Sequence, residues 1–237
     1  HVPDLNDFVA GFSILLKPQG VATFEFHHVL NLLQKNQFDN IYHEHFCYHS
    51  FLTFSRILAH HGLSVFDVEE IPNHGGSLRV YCQPAKTGNQ PVSPRVAEME
   101  ARERAAGLDT LEPYLALEER IRASKRSLLR FVLDAHQQGK RIAAYGAPAK
   151  AATLLNYAGV RSDYIEYTVD RNPHKQHHFL PGTQIPIYGP ERILETKPDY
   201  LVILAWNLKD EVMKQMSAIR EWGGRFVILV PEVQIYD

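Results

Sequence analysis

From Lys140 onward, short Val- and Ile-rich runs alternate with helix-like segments, and no other feature of the sequence constrains the fold so much. Arg141-Ile-Ala-Ala-Tyr145, Tyr164 to Val169, Ile185-Pro-Ile-Tyr188, Asp199 to Ala205 and Arg225 to Val230 read as strands. Helices are expected at Ala149 to Tyr157, around 190–195 and over 208–222. Strands this apolar are buried on both faces, and intervening helices supply the cover. The predicted fold class is therefore α/β, with a doubly wound, Rossmann-like parallel sheet in the C-terminal half.

The first part of the chain follows a different pattern. Leu5, Phe8, Val9 and Phe12 recur at helical spacing after Pro3 and Asp4, and Lys17-Pro18-Gln19-Gly20 ends that helix. Val21 to Phe26 reads as a strand. Ser50 can cap a helix whose apolar side is Leu52, Phe54, Ile57 and Leu58, closed by Gly62. Leu63 to Ile71 and Ser77 to Cys82 alternate in the β manner about Pro72-Asn-His-Gly-Gly76, which predicts a hairpin. Residues 84–94 are rich in Pro, Gly and polar side chains and read as a linker. Two helices are expected beyond it, about 95–106 and 112–138. The predicted organisation is a first α/β domain at 1–83, a linker at 84–94, and a helical segment plus Rossmann-like domain at 95–237.

Composition narrows the partners. Hydrophobic residues make up 45% and charged residues 22%, ordinary for a globular domain. A formal net charge of −2 gives no general attraction to nucleic acid or to an anionic membrane, so any phosphate binding must be local. No apolar run approaches the roughly 20 residues of a membrane span. Cys47 and Cys82 are the only cysteines, too few for a disulfide framework or a zinc site, which favours a reducing cytoplasm. The sequence does not set an oligomeric state. The chain opens His1-Val-Pro-Asp-Leu, directly into a helical pattern, and reads as starting within a domain.

Three constellations carry chemistry. Tyr42-His-Glu-His45 is the densest cluster of proton-transfer groups and lies in a connection, where catalytic groups concentrate. An imidazole has the pKa to remove a C–H proton beside a ketone, and a phenol or a second imidazole can stabilise the oxyanion. In an extended segment Tyr42 and Glu44 would face away from His43 and His45; in a turn all four could converge. Structural histidines explain the cluster equally well. The His45/His49 spacing lacks a third ligand, and no metal site is predicted. The second constellation, His74-Gly75-Gly76-Ser77, is either a turn that needs positive φ or a place of close approach to a ligand, with His74, Gly75 or Ser77 touching it. The third is Tyr145-Gly146-Ala-Pro-Ala-Lys150, a strand, glycine turn and helix start. There backbone N–H groups and Lys150 could receive a phosphate. Pro148 and Ala151 occupy the places of the second and third glycines of a dinucleotide fingerprint, which disfavours a nicotinamide-dependent dehydrogenase. Asp170, at a strand end, is either a ribose or sugar ligand or simply part of a good turn.

Taken in order, Phe38-Asp-Asn-Ile-Tyr-His-Glu-His-Phe46, Leu58-Ala-His-His-Gly-Leu63, His74-Gly-Gly-Ser-Leu-Arg79, Tyr145-Gly-Ala-Pro-Ala-Lys150, Val169-Asp-Arg-Asn-Pro-His-Lys175 and Leu180-Pro-Gly-Thr-Gln-Ile-Pro-Ile187 resemble one family. It is the S-adenosylmethionine (SAM)-dependent sugar C-methyltransferases that make branched deoxysugars. The resemblance implies a zinc-binding N-terminal domain, a central SAM domain and a Rossmann-like C-terminal domain. Residues 1–83 correspond to the latter part of the SAM domain. The zinc cysteines, the glycine-rich SAM loop and most of the SAM site lie outside this sequence, so the chain alone is expected to be inactive. By the same resemblance His45 is the base, Tyr42 and Glu44 are its companions, and His1 is a further active-site histidine. The implied substrate is a nucleotide-linked keto-sugar. A nucleotide-sugar-binding module without catalysis is the alternative.

Overall fold

The computed structural model describes residues 1–237. By residue contacts the chain divides into two compact units, His1–Lys35 with His43–Leu117, and Asn36–Tyr42 with Glu118–Asp237. No helix is long and apolar enough to cross a membrane.

In the first unit, α1 (Leu5–Leu15) starts at Asp4, whose side chain accepts the Asp7 N–H at 2.9 Å. Strands β1 (Ala22–His27), β2 (Leu63–Ile71) and β3 (Ser77–Pro84) form an antiparallel sheet in the order β1-β3-β2. Ala22 and Phe24 are buried while Thr23 and Glu25 between them are exposed, the alternation expected of a sheet with one face on the core. Between β1 and β2 run the short α2 (Val29–Gln34) and then α3 (Phe51–His60), capped by Ser50 Oγ on the Thr53 N–H at 3.0 Å. Phe24, Phe51, Phe54, Leu58, Leu78 and Val80 form the core, with Met99 of α4 (Pro94–Ala105) closing it. The stretch 84–94, read as a linker, is bonded into this unit. Gln83 Nε2 donates to the Gln90 carbonyl at 3.0 Å, and the Ser93 N–H to the Phe66 carbonyl at 2.8 Å.

The second unit takes most of α5 (Glu112–Gln137), then β4 (Ile142–Tyr145), α6 (Ala149–Ala158), β5 (Thr168–Val169), β6 (Ile187–Tyr188), α7 (Glu191–Thr196), β7 (Tyr200–Ile203), α8 (Lys209–Gln215), β8 (Arg225–Ile228) and β9 (Gln234–Tyr236). The six strands lie in the order β6-β5-β4-β7-β8-β9, all parallel except β9. Alternate residues serve opposite faces. Ile142, Ala144, Tyr200 and Val202 pack with Leu128 and Val132 of α5 and Leu155 of α6. Ala143, Tyr145, Leu201 and Ile203 pack with Ile193 of α7 and Val212 of α8. The sheet is doubly wound, as its sequence pattern predicts.

Some elements differ from expectation. The 164–169 run joins the sheet only from Glu166, whose N–H donates to the Ile142 carbonyl at 3.0 Å, and Thr168–Val169 is its strand, because the Tyr164 and Ile165 N–H groups close a turn onto the Arg161 carbonyl, both at 3.1 Å. The helix expected over 208–222 is two pieces, α8 and a 3-10 turn at Ser217–Trp222. Neither α2 nor β9 has a visible period at its length.

Candidate active site

A cleft of about 330 Å³ opens in the first unit. Its walls come from α1 (Leu5, Phe8), β1 (Phe24, Glu25, Phe26, His27), the stretch His45–His49, Phe54 of α3, and His1 with Val2. Backbone pairing puts these pieces together: His28, just past β1, bridges His49 in parallel, and the Val29 N–H donates to the His49 carbonyl at 3.1 Å. The stretch reaches the cleft after a turn at His43 and Glu44.

Two imidazoles meet at the cleft. The rings of His1 and His45 stand edge to face with centroids 4.9 Å apart, and Tyr48 lies 6.0 Å beyond His45. His49 sits between Phe26 at 5.3 Å and Phe54 at 5.2 Å, and burial holds its pKa below the usual imidazole value. On the rim, the Glu25 carboxylate accepts from Asn73 Nδ2 and Arg79, both at 3.1 Å, and the Asn73 bond leads in keeping its pKa low. Behind the cleft, His28 Nε2 lies 2.6 Å from Glu103 Oε1. The same carboxylate accepts the Phe51 N–H at 2.7 Å and the Leu52 N–H at 2.9 Å. Glu103 thereby anchors the start of α3 and the end of β1 at once. An imidazole pair against aromatic walls can take up and pass on a proton, which is what abstraction beside a carbonyl requires.

His45 and His1 line the cleft, Glu44 is exposed in the turn, and Tyr42 is half-buried at the end of the segment Asn36–Tyr42. At the hairpin tip His74 is exposed, and φ is +54° at His74, +91° at Gly75 and +124° at Gly76. A Cβ on Gly76 would fall 2.5 Å from Asn31 Nδ2, so the close approach there is to α2. Ser77 is buried and donates to the Asn73 carbonyl at 3.1 Å.

In the second unit, Gly146 follows β4 with φ +94°, and its N–H donates to the Val169 carbonyl at 2.7 Å. Asp170 accepts the Ala147 N–H and the Asn172 N–H, both at 2.9 Å. Lys150, in the first turn of α6, is 7% exposed; its Nζ donates to Asn207 Oδ1 at 3.0 Å and lies 4.2 Å over the Trp206 ring. Asp39 was not anticipated as a functional residue. It is 1% exposed and accepts from Trp206 Nε1 at 2.6 Å, and burial pushes its carboxyl up to about 6 against the pull of Trp206 and Lys150. Its partners lie far along the chain, so no local pattern marks it. No group of three or more His, Cys, Asp or Glu side chains is placed to hold a metal ion.

A doubly wound unit, together with an aromatic-walled cleft carrying paired imidazoles, fits a methyltransferase-type α/β protein. Residues 72–231 match the C-methyltransferase C-terminal domain, and the chain belongs to that family. It is also similar to C-methyltransferase NovU of Streptomyces niveus, at 39% identity over 238 residues, 99% of this chain and 56% of NovU. The chain therefore spans little more than half the length of that relative.

Proposed function

We propose that this chain serves a SAM-dependent C-methyl transfer to the carbon α to the ketone of a nucleotide-linked keto-deoxysugar in the cytoplasm. The observation that carries the reading is the His1–His45 ring pair in the cleft. Family membership and the likeness to a C-methyltransferase support it.

SAM would supply the methyl group. The first unit has no strand, glycine turn and helix to seat its adenosine, since β1 passes into α2 through His27 and His28. What these residues do is move and hold a proton. His45 removes the proton α to the ketone, and His1 polarises or relays from the neighbouring ring. Tyr42 and Glu44 orient the sugar, and the phenol of Tyr42 donates to the enolate oxygen. Burial lowers the pKa of His49 and so disfavours a charge on that wall of the cleft. His74, Gly75 and Ser77 at the hairpin tip, and Gly146 and Asp170 in the second unit, are the regions assigned to the rest of the nucleotide-sugar, while the Lys150 ammonium is committed within the second unit to Asn207 and the Trp206 ring.

The test uses full-length protein with SAM and a dTDP-4-keto-6-deoxysugar in D2O. Deuterium entry at the α carbon and methyl transfer should both fall at least about 100-fold in His45→Ala, with circular dichroism unchanged. Wild-type rates in that variant refute the base assignment.

A further inference from the structure

The strand order β6-β5-β4-β7-β8-β9 reverses direction between β4 and β7. In doubly wound sheets the crevice beyond the carboxyl ends of the strands at such a reversal is where ligands bind. Here the loops after the two strands close on each other: a Cβ on Gly146 would lie 3.3 Å from Ala205 Cβ. Just beyond stand Trp206 and Asn207 after β7, and Lys150 at the start of α6. The carboxylate at this place is the chain's own. Asp39 Oδ2 accepts from Trp206 Nε1 at 2.6 Å, while Lys150 Nζ lies 4.2 Å over the same indole and acts on Asp39 through its charge. An acid is the side chain favoured opposite a helix N-terminus and a buried ammonium.

The rest of the segment Asn36–Tyr42 is built into the same unit. Asn36 Nδ2 donates to Ser124 Oγ at 2.7 Å and to the Arg120 carbonyl at 3.2 Å, both on α5. Phe38 joins the core and meets the Tyr157 ring at 5.7 Å. Thr153 of α6 donates to the Ile41 carbonyl at 3.3 Å, one residue before Tyr42. Phe38, Asp39 and Asn40 are each no more than 4% exposed, so the segment fills the crevice. One carboxylate oxygen, Asp39 Oδ1, is buried without a hydrogen bond of ordinary geometry, and the Trp206 bond, the Lys150 charge and the nearby backbone N–H groups of Asp39 and Asn40 favour the ionised group.

We propose that Asp39 is the resident anion of this crevice, occupying the place a ligand phosphate takes in nucleotide-binding sheets, and that by docking Asn36–Tyr42 it is a positioning residue for Tyr42. The second half rests on Tyr42 serving the reaction proposed above; the first half does not. The ionisable group acting on Asp39 is Lys150 of α6, whereas Trp206 and Asn207, from the loop after β7, carry no charge. The raised carboxyl is consistent with a site that protonates only in mildly acidic solution.

Trp206 reports on its own partner. The chain has two tryptophans, so Trp222→Phe in the full-length protein isolates its emission. Emission should titrate with a midpoint near 6, and the transition should vanish in Asp39→Asn. In Lys150→Met the midpoint should rise by about one unit, since the neighbouring cation is gone. A flat curve in the Trp222→Phe protein overturns the assignment without any change at Asp39, so a failure of Asp39→Asn to fold does not decide the matter. Inorganic pyrophosphate should leave Trp206 emission unchanged; a saturable response would show that the crevice takes an outside anion, and would also overturn it. In Asp39→Asn, kcat for methyl transfer should fall about tenfold with KM for SAM held, and further loss from adding Tyr42→Phe should be less than multiplicative. Unchanged kcat refutes the positioning role. Absence of methyl transfer in the wild type counts against the proposed reaction instead, and the two fluorescence experiments then decide the docking.

Discussion

Glu103 Oε1 and His28 Nε2 lie 2.6 Å apart with both side chains fully buried, although 75 positions separate them in the sequence. The pair joins α4 to the end of β1, and through the Phe51 and Leu52 N–H groups to the start of α3. It fixes the backbone from which His27 and His49 line the cleft.

Glu103→Ala should be strongly destabilising, by roughly 3–5 kcal/mol, because it strands a buried imidazole and two helix N–H groups together. Urea unfolding followed by circular dichroism measures this, and Glu103→Gln should recover part of the loss. A change in the midpoint no larger than that of a surface substitution would contradict the account.

Asp39 gives stability an unusual pH dependence. Its carboxyl is raised from 3.8 to about 6, so the native state holds the proton more tightly than the unfolded chain. The contribution is fully present below about pH 3.8 and is lost as pH rises through 6. Relative to Asp39→Asn, the wild type should lose roughly 3 kcal/mol between those limits, at about 1.4 kcal/mol per unit. Chemical denaturation of both proteins at pH 4.5, 6 and 7.5 follows that difference.

His49 works in the opposite direction. Its pKa is lowered by burial, so protonation favours the unfolded chain, and stability present above the usual imidazole value is lost as pH falls below it. His49→Phe, packed between Phe26 and Phe54, should flatten the acid limb of a melting-temperature profile. An unchanged limb would mean that another group dominates there.

Gly76→Ala tests the hairpin tip. At φ +124° with Asn31 Nδ2 2.5 Å from the new Cβ, backbone strain and overlap should together cost about 1–3 kcal/mol. Asn31→Ala in the same protein should restore the steric part and leave the strain. Equal melting temperatures for wild type and Gly76→Ala would contradict both terms.

The fold was most legible where side-chain periodicity and burial coincide. Ile142 to Tyr145 and Tyr200 to Ile203 are buried on both faces, and their unbroken apolar runs announce this directly. Tyr164 to Val169 reads the same way but spends its first residues in a turn, because the Arg161 carbonyl captures two N–H groups that a strand would need. His45 stood out as one of a dense local cluster. Asp39 could not, since its indole partner is 167 positions away and a lone buried acid has no local signature. Lys150 reads from the sequence as a cation able to receive a phosphate, yet only the folded chain supplies the neighbouring carboxylate.

The seven residues Asn36–Tyr42 belong to one compact unit while the chain on both sides belongs to the other. Neither unit is therefore a contiguous stretch of gene. A hybrid that exchanges the C-terminal half between two members of the family at a single crossover would pair a borrowed Trp206 and Lys150 with a foreign Asp39 segment. Recombination that transfers 36–42 together with 118–237 keeps those partners matched, so functional hybrids should need two exchanges where the domain boundary invites one.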